Sequence, residues 1–327
     1  MRRFIILATL FIFILVIVIP TLIVNNFKIF APRIEVDSKE MKITVLFHET
    51  GEIKVMPLEE YLVGVVAAEM PAEFEMEALK AQAVAARTYT LKKLDLKAKK
   101  VDSSHPEAIV CTDPNHCQAW MSEEELKKRW GLLKYVKYRK KIEEAVTATK
   151  GQIITYEGRL IDPVYHSTCG GRTENSEEVW KYKIPYLRSV ECPYDEDSPR
   201  YKEVKVFSMQ QLDSVLGTDL VAVPASTIRD KVASYFRILQ KTSTGRIKKL
   251  YIGGKTILAT ELRFALGLRS TRFSMSISED KVKFTTYGNG HGVGMCQYGA
   301  NGFAKHGKNY IEILKHYYTG VEIKEYK

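Results

Sequence analysis

Hydrophobic positions along the chain follow three patterns. The first is a continuous run: Phe4 to Val24 carries no charge and almost no polar group, long enough to cross a bilayer as one helix. The second has helical spacing. "PLEEYLVGVVAAEM" reads as a helix, and from Glu73 to about Lys97 an alanine-rich helix follows, with acids in its first turn and lysines in its last, as the macrodipole favours. "SEEELKKRWGLLKYVKYRKKIEEAVTAT" is a third, strongly charged helix. The third pattern alternates as in strands. It appears in "KITVLFHETGEIKVM", a hairpin around Glu49 to Glu52, and in "KGQIITYEGRLIDPVYHSTCGG", with turns at Glu157-Gly158 and Gly170-Gly171. Residues 193–250 carry less signal: an acidic, proline-containing loop, a short helix near "SMQQLDSVL", and strands on either side of Thr244-Gly245. "YIGGKTILATELRFALGL" reads strand, turn, strand, helix, and the chain closes with a glycine-rich loop and the helix "NYIEILKHYY". Strands and helices do not alternate as regular βαβ units, so the fold class is α+β, two-lobed around a groove, with 193–250 as an insert or second lobe.

Arg2 and Arg3 precede the apolar run. The positive-inside bias keeps residues 1–3 in the cytoplasm, makes 4–24 a transmembrane anchor and 25–41 a tether, and puts residues 42–327 outside the membrane. The run is longer than a secretory signal core, and the stretch after it offers only Ala31 as a small residue, which favours a retained anchor over a cleaved peptide. The net charge of +10 suits a surface facing anionic material such as lipid headgroups or wall polymers. No nucleic-acid motif accompanies the charge.

"VVAAEMP" raises the first chemical question. On a helix, Leu58, Leu62, Val65 and Glu69 fall within about 60° of one another, so Glu69 belongs to the apolar face. Met70 precedes Pro71 and avoids the α region, which ends the helix at Glu69. Desolvation and the negative end of the helix dipole then both disfavour the carboxylate, and a carboxyl that keeps its proton near neutrality is a general acid. The alternative is a frayed helix end with Glu69 in water or paired to an arginine. In the next helix Lys80, Ala83 and Arg87 share one face and Gln82 and Tyr89 another, which reads either as a cationic binding face or as ordinary packing with solvated charge.

These residues carry a resemblance. "LEEYLVGVVAAEMPAEFEMEALKAQAVAARTYTL", "YHSTCGGRTENSEEVW" and "GHGVGMCQYGANGFAKHG" together resemble the stage II sporulation protein D family, membrane-anchored lytic transglycosylases of endospore-forming bacteria. The resemblance implies a catalytic acid at Glu69 and groove residues at Lys80, Gln82 and Arg87. It implies a peptidoglycan glycan strand as substrate, stripped of stem peptides by a partner amidase. The bond cut lies between N-acetylmuramic acid and N-acetylglucosamine, leaving a 1,6-anhydro end. It also implies work with a sporulation amidase and a membrane anchor protein during engulfment, and no cofactor for the chemistry. Glu73 and Glu174 stay open as a second carboxylate. A non-enzymatic glycan binder that enhances an amidase is the alternative from another class.

"HPEAIVCTDPNHC" brings His105, Cys111, His116 and Cys117 within thirteen residues. Two nitrogens and two sulfurs suit structural tetrahedral zinc, though the spacing is not that of a zinc finger, and a Cys111–Cys117 disulfide is the competing reading. Some members of the resembling family carry zinc at this loop. "YHSTCGG" offers Tyr165, His166, Ser167, Thr168, Cys169 and Gly170, and "GNGHGVGMCQYG" offers His291, Gly292, Cys296 and Gln297. Glycine lets backbone approach a ligand closely, and these segments are expected to line the glycan groove beside Glu69. The rival is a Cys/His hydrolase, with Cys169 or Cys296 attacking and His291 as base. Cys169, Cys192 and Cys296 leave one disulfide open among them.

Overall fold

The computed structural model describes residues 41–98, 105, 107–221, 232–278 and 281–326, with residue 16. Among these no helix is long and apolar enough to cross a membrane. The expected anchor at 4–24 and nearly all of the tether at 25–41 lie outside the described residues.

The molecule mixes helices with several small sheets. β1 (Lys42–Phe47) and β2 (Glu52–Pro57) form the expected hairpin, and β3 (Val110–Cys111) joins β1 in parallel, pairing Val45 with Val110 and Leu46 with Cys111. α1 (Leu58–Glu69) ends where the proline rule places its end: Met70 adopts φ −120° and ψ 145°. α2 (Met76–Ala98) starts three residues later than the acid-rich turn suggested, and its Ala78, Ala81, Ala83, Ala85 and Ala86 are all buried. Side chains that small let both α1 and α3 (Glu123–Ala148) pack on α2. α3 is capped by a reciprocal Ser122–Glu125 box and kinked at Gly131, which sits at φ 70°.

β4 (Gln152–Tyr156), β5 (Arg159–Leu160) and β6 (Tyr165–His166) follow α3. β7 (Lys202–Ser208), α4 (Met209–Leu216), β8 (Phe236–Lys241), β9 (Ile247–Ile252), β10 (Lys255–Leu258) and α5 (Ala259–Ala265) occupy the middle of the chain. β11 (Phe273–Ser278) and β12 (Lys281–Tyr287) form an antiparallel hairpin that extends to β7. The sequence reading missed this hairpin, although Phe273, Met275 and Ile277 alternate with serines at strand period. β13 (Met295–Cys296) pairs in parallel with β6, followed by α6 (Gln297–Lys305), α7 (Tyr310–Tyr317) and β14 (Glu322–Glu325) on β4.

Buried apolar residues form two clusters. One gathers α1, α2, α3, β4 and the C-terminal helices around Tyr61, Leu62, Val84 and Leu314. The other, built around Leu212, Leu250, Leu262 and Phe284, takes residues from Met209 to Phe284, a wider stretch than 193–250.

Candidate active site

Glu69 ends α1 at the wall of a cavity of about 620 Å³. Its Oε1 accepts a 2.9 Å hydrogen bond from the Ala119 backbone N–H, and Gln297 Nε2 stands 3.5 Å from its Oε2. The same Gln297 nitrogen stands 3.5 Å from Oε1 of the buried Gln82. Tyr165 packs against the carboxyl and donates to Gln118 Oε1 at 3.1 Å, while Gln118 Nε2 donates to Thr90 Oγ1 at 3.3 Å. Burial pushes the Glu69 carboxyl above the ordinary carboxylic range, opposed by the donors at Ala119, Gln297 and Tyr165. Burial, then the negative charge of Glu69, pushes the Tyr165 phenol well up, so it stays a hydrogen-bond donor.

Of the expected groove residues, Glu69, Tyr165, Ser167, His291 and Gln297 line this cavity, and Gln82 reaches it through Gln297. Others lie behind the wall. Thr168 is buried and its hydroxyl meets Ser198 Oγ at 2.7 Å; Cys169 is fully buried; Gly170 N–H donates to Asp195 Oδ2 at 2.7 Å. Gly292 lies so close to Arg246 that an added Cβ would stand 2.7 Å from its guanidinium. These four position the wall and do not form it.

Two cations depart from expectation. Arg87 is 0% exposed. It forms a two-armed ion pair with Glu59, at 2.9 and 2.5 Å, and donates to Val146 O and Gln152 O at 3.2 and 3.3 Å. It therefore joins α1, α2, the end of α3 and β4, and presents nothing to a ligand. Lys80 pairs with Glu77 at 2.7 Å and lies over the Tyr310 ring, and it does not line the cavity. Spacing correctly put both on one helix face; which neighbour covers that face is a tertiary matter.

The cavity holds residues the sequence reading did not single out as site residues. Gln118 comes from the loop before α3, where its neighbour Ala119 supplies the hydrogen bond to Glu69, Tyr89 comes from the face of α2 that also carries Gln82, and Arg129 and Arg200 add two guanidinium groups. Only Tyr89 left a signal, its seven-residue spacing from Gln82. Glu73 accepts from Tyr138 at 2.7 Å, and Glu174 is buried, accepting from the hydroxyls of Thr242 and Thr244 at 2.7 and 2.5 Å. Neither lines the cavity of Glu69. A second cavity, of about 550 Å³ and walled by Phe47, Trp120 and several glutamates, contains none of the expected site residues.

Both ring nitrogens of His291 are engaged: Nε2 meets Tyr165 O at 3.0 Å and Nδ1 accepts from Val293 N at 3.1 Å. Burial lowers its pKa to about 4, so it is a neutral strut with no lone pair left to take a proton. Cys169 and Cys296 are fully buried and burial pushes both thiols well up. This arrangement lacks the accessible thiolate and free base that a Cys/His nucleophilic site needs.

His105, Cys111, His116 and Cys117 converge, with one ligand atom from each lying within 4.8 Å of all the others. Cys111 Sγ is 3.5 Å from His116 Nδ1, and Cys117 Sγ is 3.8 Å from His105 Nε2. Cys111 and Cys117 are free thiols, not the disulfide held open above, and this donor set could hold a metal ion. β3 carries Cys111 on the sheet, and Cys117 itself lines the cavity two residues before Ala119. A metal held there would pin the loop that supplies the hydrogen bond to Glu69. All five cysteines are free, so no disulfide joins Cys169, Cys192 and Cys296 either.

Residues 47–156 match the family model described as Stage II sporulation protein. The chain is 40% identical over 289 residues to the Stage II sporulation protein D of Bacillus amyloliquefaciens and to that of Bacillus subtilis (strain 168), covering 88% of this chain and 80% of each relative. It is also 30% identical over 313 residues to the protein named Amidase enhancer of Bacillus subtilis (strain 168), covering 81% of this chain and 40% of that protein. With its three motifs in order around one cavity and two relatives matched over most of their length, this chain belongs to the stage II sporulation protein D family.

Proposed function

We propose that this protein is a lytic transglycosylase of peptidoglycan, anchored in the membrane by residues 4–24 and facing the wall, and that Glu69 is its only catalytic carboxyl. The observation that carries this reading is a carboxyl group raised by burial at the wall of a cavity in the size range of small-molecule sites, with neutral donors around it. In the proposed step Glu69 gives its proton to the glycosidic oxygen as the bond from muramic acid C1 breaks. The C6 hydroxyl of the same sugar then bonds to C1 and returns a proton to Glu69. The products are an N-acetylglucosamine 4-hydroxyl end and a 1,6-anhydro end, with no water consumed. One carboxyl serves both proton transfers, which agrees with Glu73 and Glu174 standing outside the cavity.

A strand stripped of stem peptides exposes a lactyl carboxylate on each muramic acid. Arg129 and Arg200 supply positive charge along the cavity to meet it. The two apolar clusters support a two-lobed body, and the family context supports action in engulfment with a sporulation amidase and a membrane anchor protein. Zinc at His105, Cys111, His116 and Cys117 fits the donor set. Four protein ligands leave no open position, so it would supply structure to the Ala119 loop and no chemistry.

The second reading, a glycan binder that enhances an amidase, rests on the Amidase enhancer relative. One experiment separates the two. The purified protein and its Glu69→Gln variant are incubated with peptide-free glycan strands, and mass spectrometry seeks muramoyl ends lighter by one water than hydrolysed ends. Anhydro ends from the wild type alone support the transglycosylase. Strand binding with no new ends supports the binder, and ends that keep the water point to hydrolysis.

A further inference from the structure

A second set of ligand atoms lies behind the cavity wall. Cys169, Cys192, Asp195 and Cys296 are each buried, and one ligand atom from each lies within 4.8 Å of all the others. We propose that these four residues form a structural site for a zinc-class divalent metal, distinct from the His105 loop cluster and holding together the three segments that wall the cavity.

Three features favour a metal over packed neutral thiols. The spacing admits one: all four atoms lie within 4.8 Å of one another, with Asp195 Oδ2 at 3.1 Å from Cys169 Sγ and 3.6 Å from Cys296 Sγ, and a tetrahedron with Zn–S bonds of about 2.3 Å and a Zn–O bond of about 2.0 Å has edges of about 3.5–3.8 Å. One sulfur also accepts backbone hydrogen bonds, as metal thiolates do. Cys296 Sγ accepts from the backbone N–H of Cys169 and of Gly299, both at 3.3 Å, the latter at the N-terminus of α6. Finally, Asp195 is fully buried and its Oδ1 has no partner, while Oδ2 accepts from Gly170 N–H at 2.7 Å and meets Cys169 Sγ at 3.1 Å. A buried carboxylate with one oxygen unsatisfied and the other against two cysteine sulfurs calls for a cation.

The surroundings fit the charge. Metal binding releases three thiol protons to solvent, and three thiolates with one carboxylate around a divalent ion leave a net charge of about −2. The buried Arg246 offsets part of it: Nη2 donates to Cys169 O at 2.7 Å, and Nε and Nη1 lack hydrogen-bond partners. Glu174 approaches that guanidinium at 3.9 Å and Tyr317 OH lies 3.1 Å from Cys192 Sγ. The four ligands belong to the end of the YHSTCGG segment, the loop after residue 190 and the residue before Gln297. A metal there would hold Gln297 at its place beside Glu69.

The test uses the full chain, purified under reducing conditions, reconstituted with zinc alone and freed of loose metal. Metal content is measured by mass spectrometry and coordination by zinc-edge X-ray absorption, for the wild type and for a Cys111→Ser/Cys117→Ser variant that disables the loop cluster. The variant is expected to keep one zinc with three sulfurs and one oxygen and no imidazole scattering. The wild type is expected to add imidazole-bearing zinc to that signal. A variant without zinc overturns the proposal, as does a wild type whose only zinc carries imidazole. A disulfide between any two of Cys169, Cys192 and Cys296 in non-reducing peptide maps of the protein as isolated overturns it too. Should the variant fail to fold, the wild-type spectrum alone decides: an imidazole-free, three-sulfur component supports the site, and its absence refutes it.

Discussion

The backbone N–H of Ala119 donates to Oε1 of Glu69 at 2.9 Å, tying the end of α1 to a loop two residues past Cys117. Gln297, 228 residues along the chain, approaches the other oxygen. A half-buried carboxyl held from both sides at the cavity wall has its orientation fixed by these two contacts.

Glu69→Gln keeps an acceptor for Ala119 and removes the proton shuttle. We expect anhydro-end production to fall by about 10²- to 10⁴-fold, the usual worth of a general acid, while the circular dichroism spectrum stays that of the wild type. An unchanged rate would remove Glu69 from the chemistry.

The pH dependence follows from two shifts of opposite sign. The folded Glu69 pKa is raised above its unfolded value, so its contribution to stability is full below that value and is lost as pH rises through the folded pKa. Glu69→Gln should therefore melt higher than wild type at pH 8, with the difference vanishing near pH 4. The rate should fall with pH as Glu69 ionises. His291 runs the other way: with its folded pKa lowered to about 4, it stabilises fully above about pH 6.5 and loses that contribution down to about pH 4, on the order of 3 kcal/mol. His291→Gln should flatten the acid limb of the melting curve; an unaltered limb would contradict the assignment.

Arg87→Ala leaves Glu59 partly buried without its partner, and losing one side of a buried ion pair costs about 3–5 kcal/mol. Denaturant titration should show that loss, and Arg87→Lys should recover little of it because one ammonium cannot replace the two-armed contact. KM for glycan, measured on folded protein at low temperature, should not move. A large KM change with stability intact would return Arg87 to the binding role.

Arg200→Ala removes an exposed guanidinium from the cavity. KM for peptide-free strands should rise about fivefold, in keeping with a solvent-screened charge contact, with kcat unchanged. Strands whose lactyl groups are capped as amides should not distinguish the variant from wild type.

Cys111→Ser should lower metal content by one equivalent and loosen the loop that carries Ala119. Hydrogen exchange at the Ala119 amide should then accelerate and the cleavage rate fall, although Cys111 itself does not line the cavity. Exchange at wild-type rates would separate the cluster from the site.

Much of the site was legible because the relevant physics is local. The steric clash ahead of Pro71 ends α1 at Glu69, helical periodicity turns that carboxyl toward the apolar side, and thirteen residues of loop bring His105, Cys111, His116 and Cys117 within reach of one another. None of this needs knowledge of a distant segment. Arg87 was misread because its helix face was right but its neighbour was unknown: only packing of α1 on α2 brings Glu59 to it. Likewise, Gln297 beside Glu69 and Asp195 among Cys169, Cys192 and Cys296 join segments separated by up to 228 residues. The chain by itself determined where a protonated carboxyl could stand, through dihedral limits and periodicity that act over a few residues. Which groups surround that carboxyl, and which buried charges are neutralised, was decided by tertiary packing, because contacts between remote segments depend on how whole elements share one core.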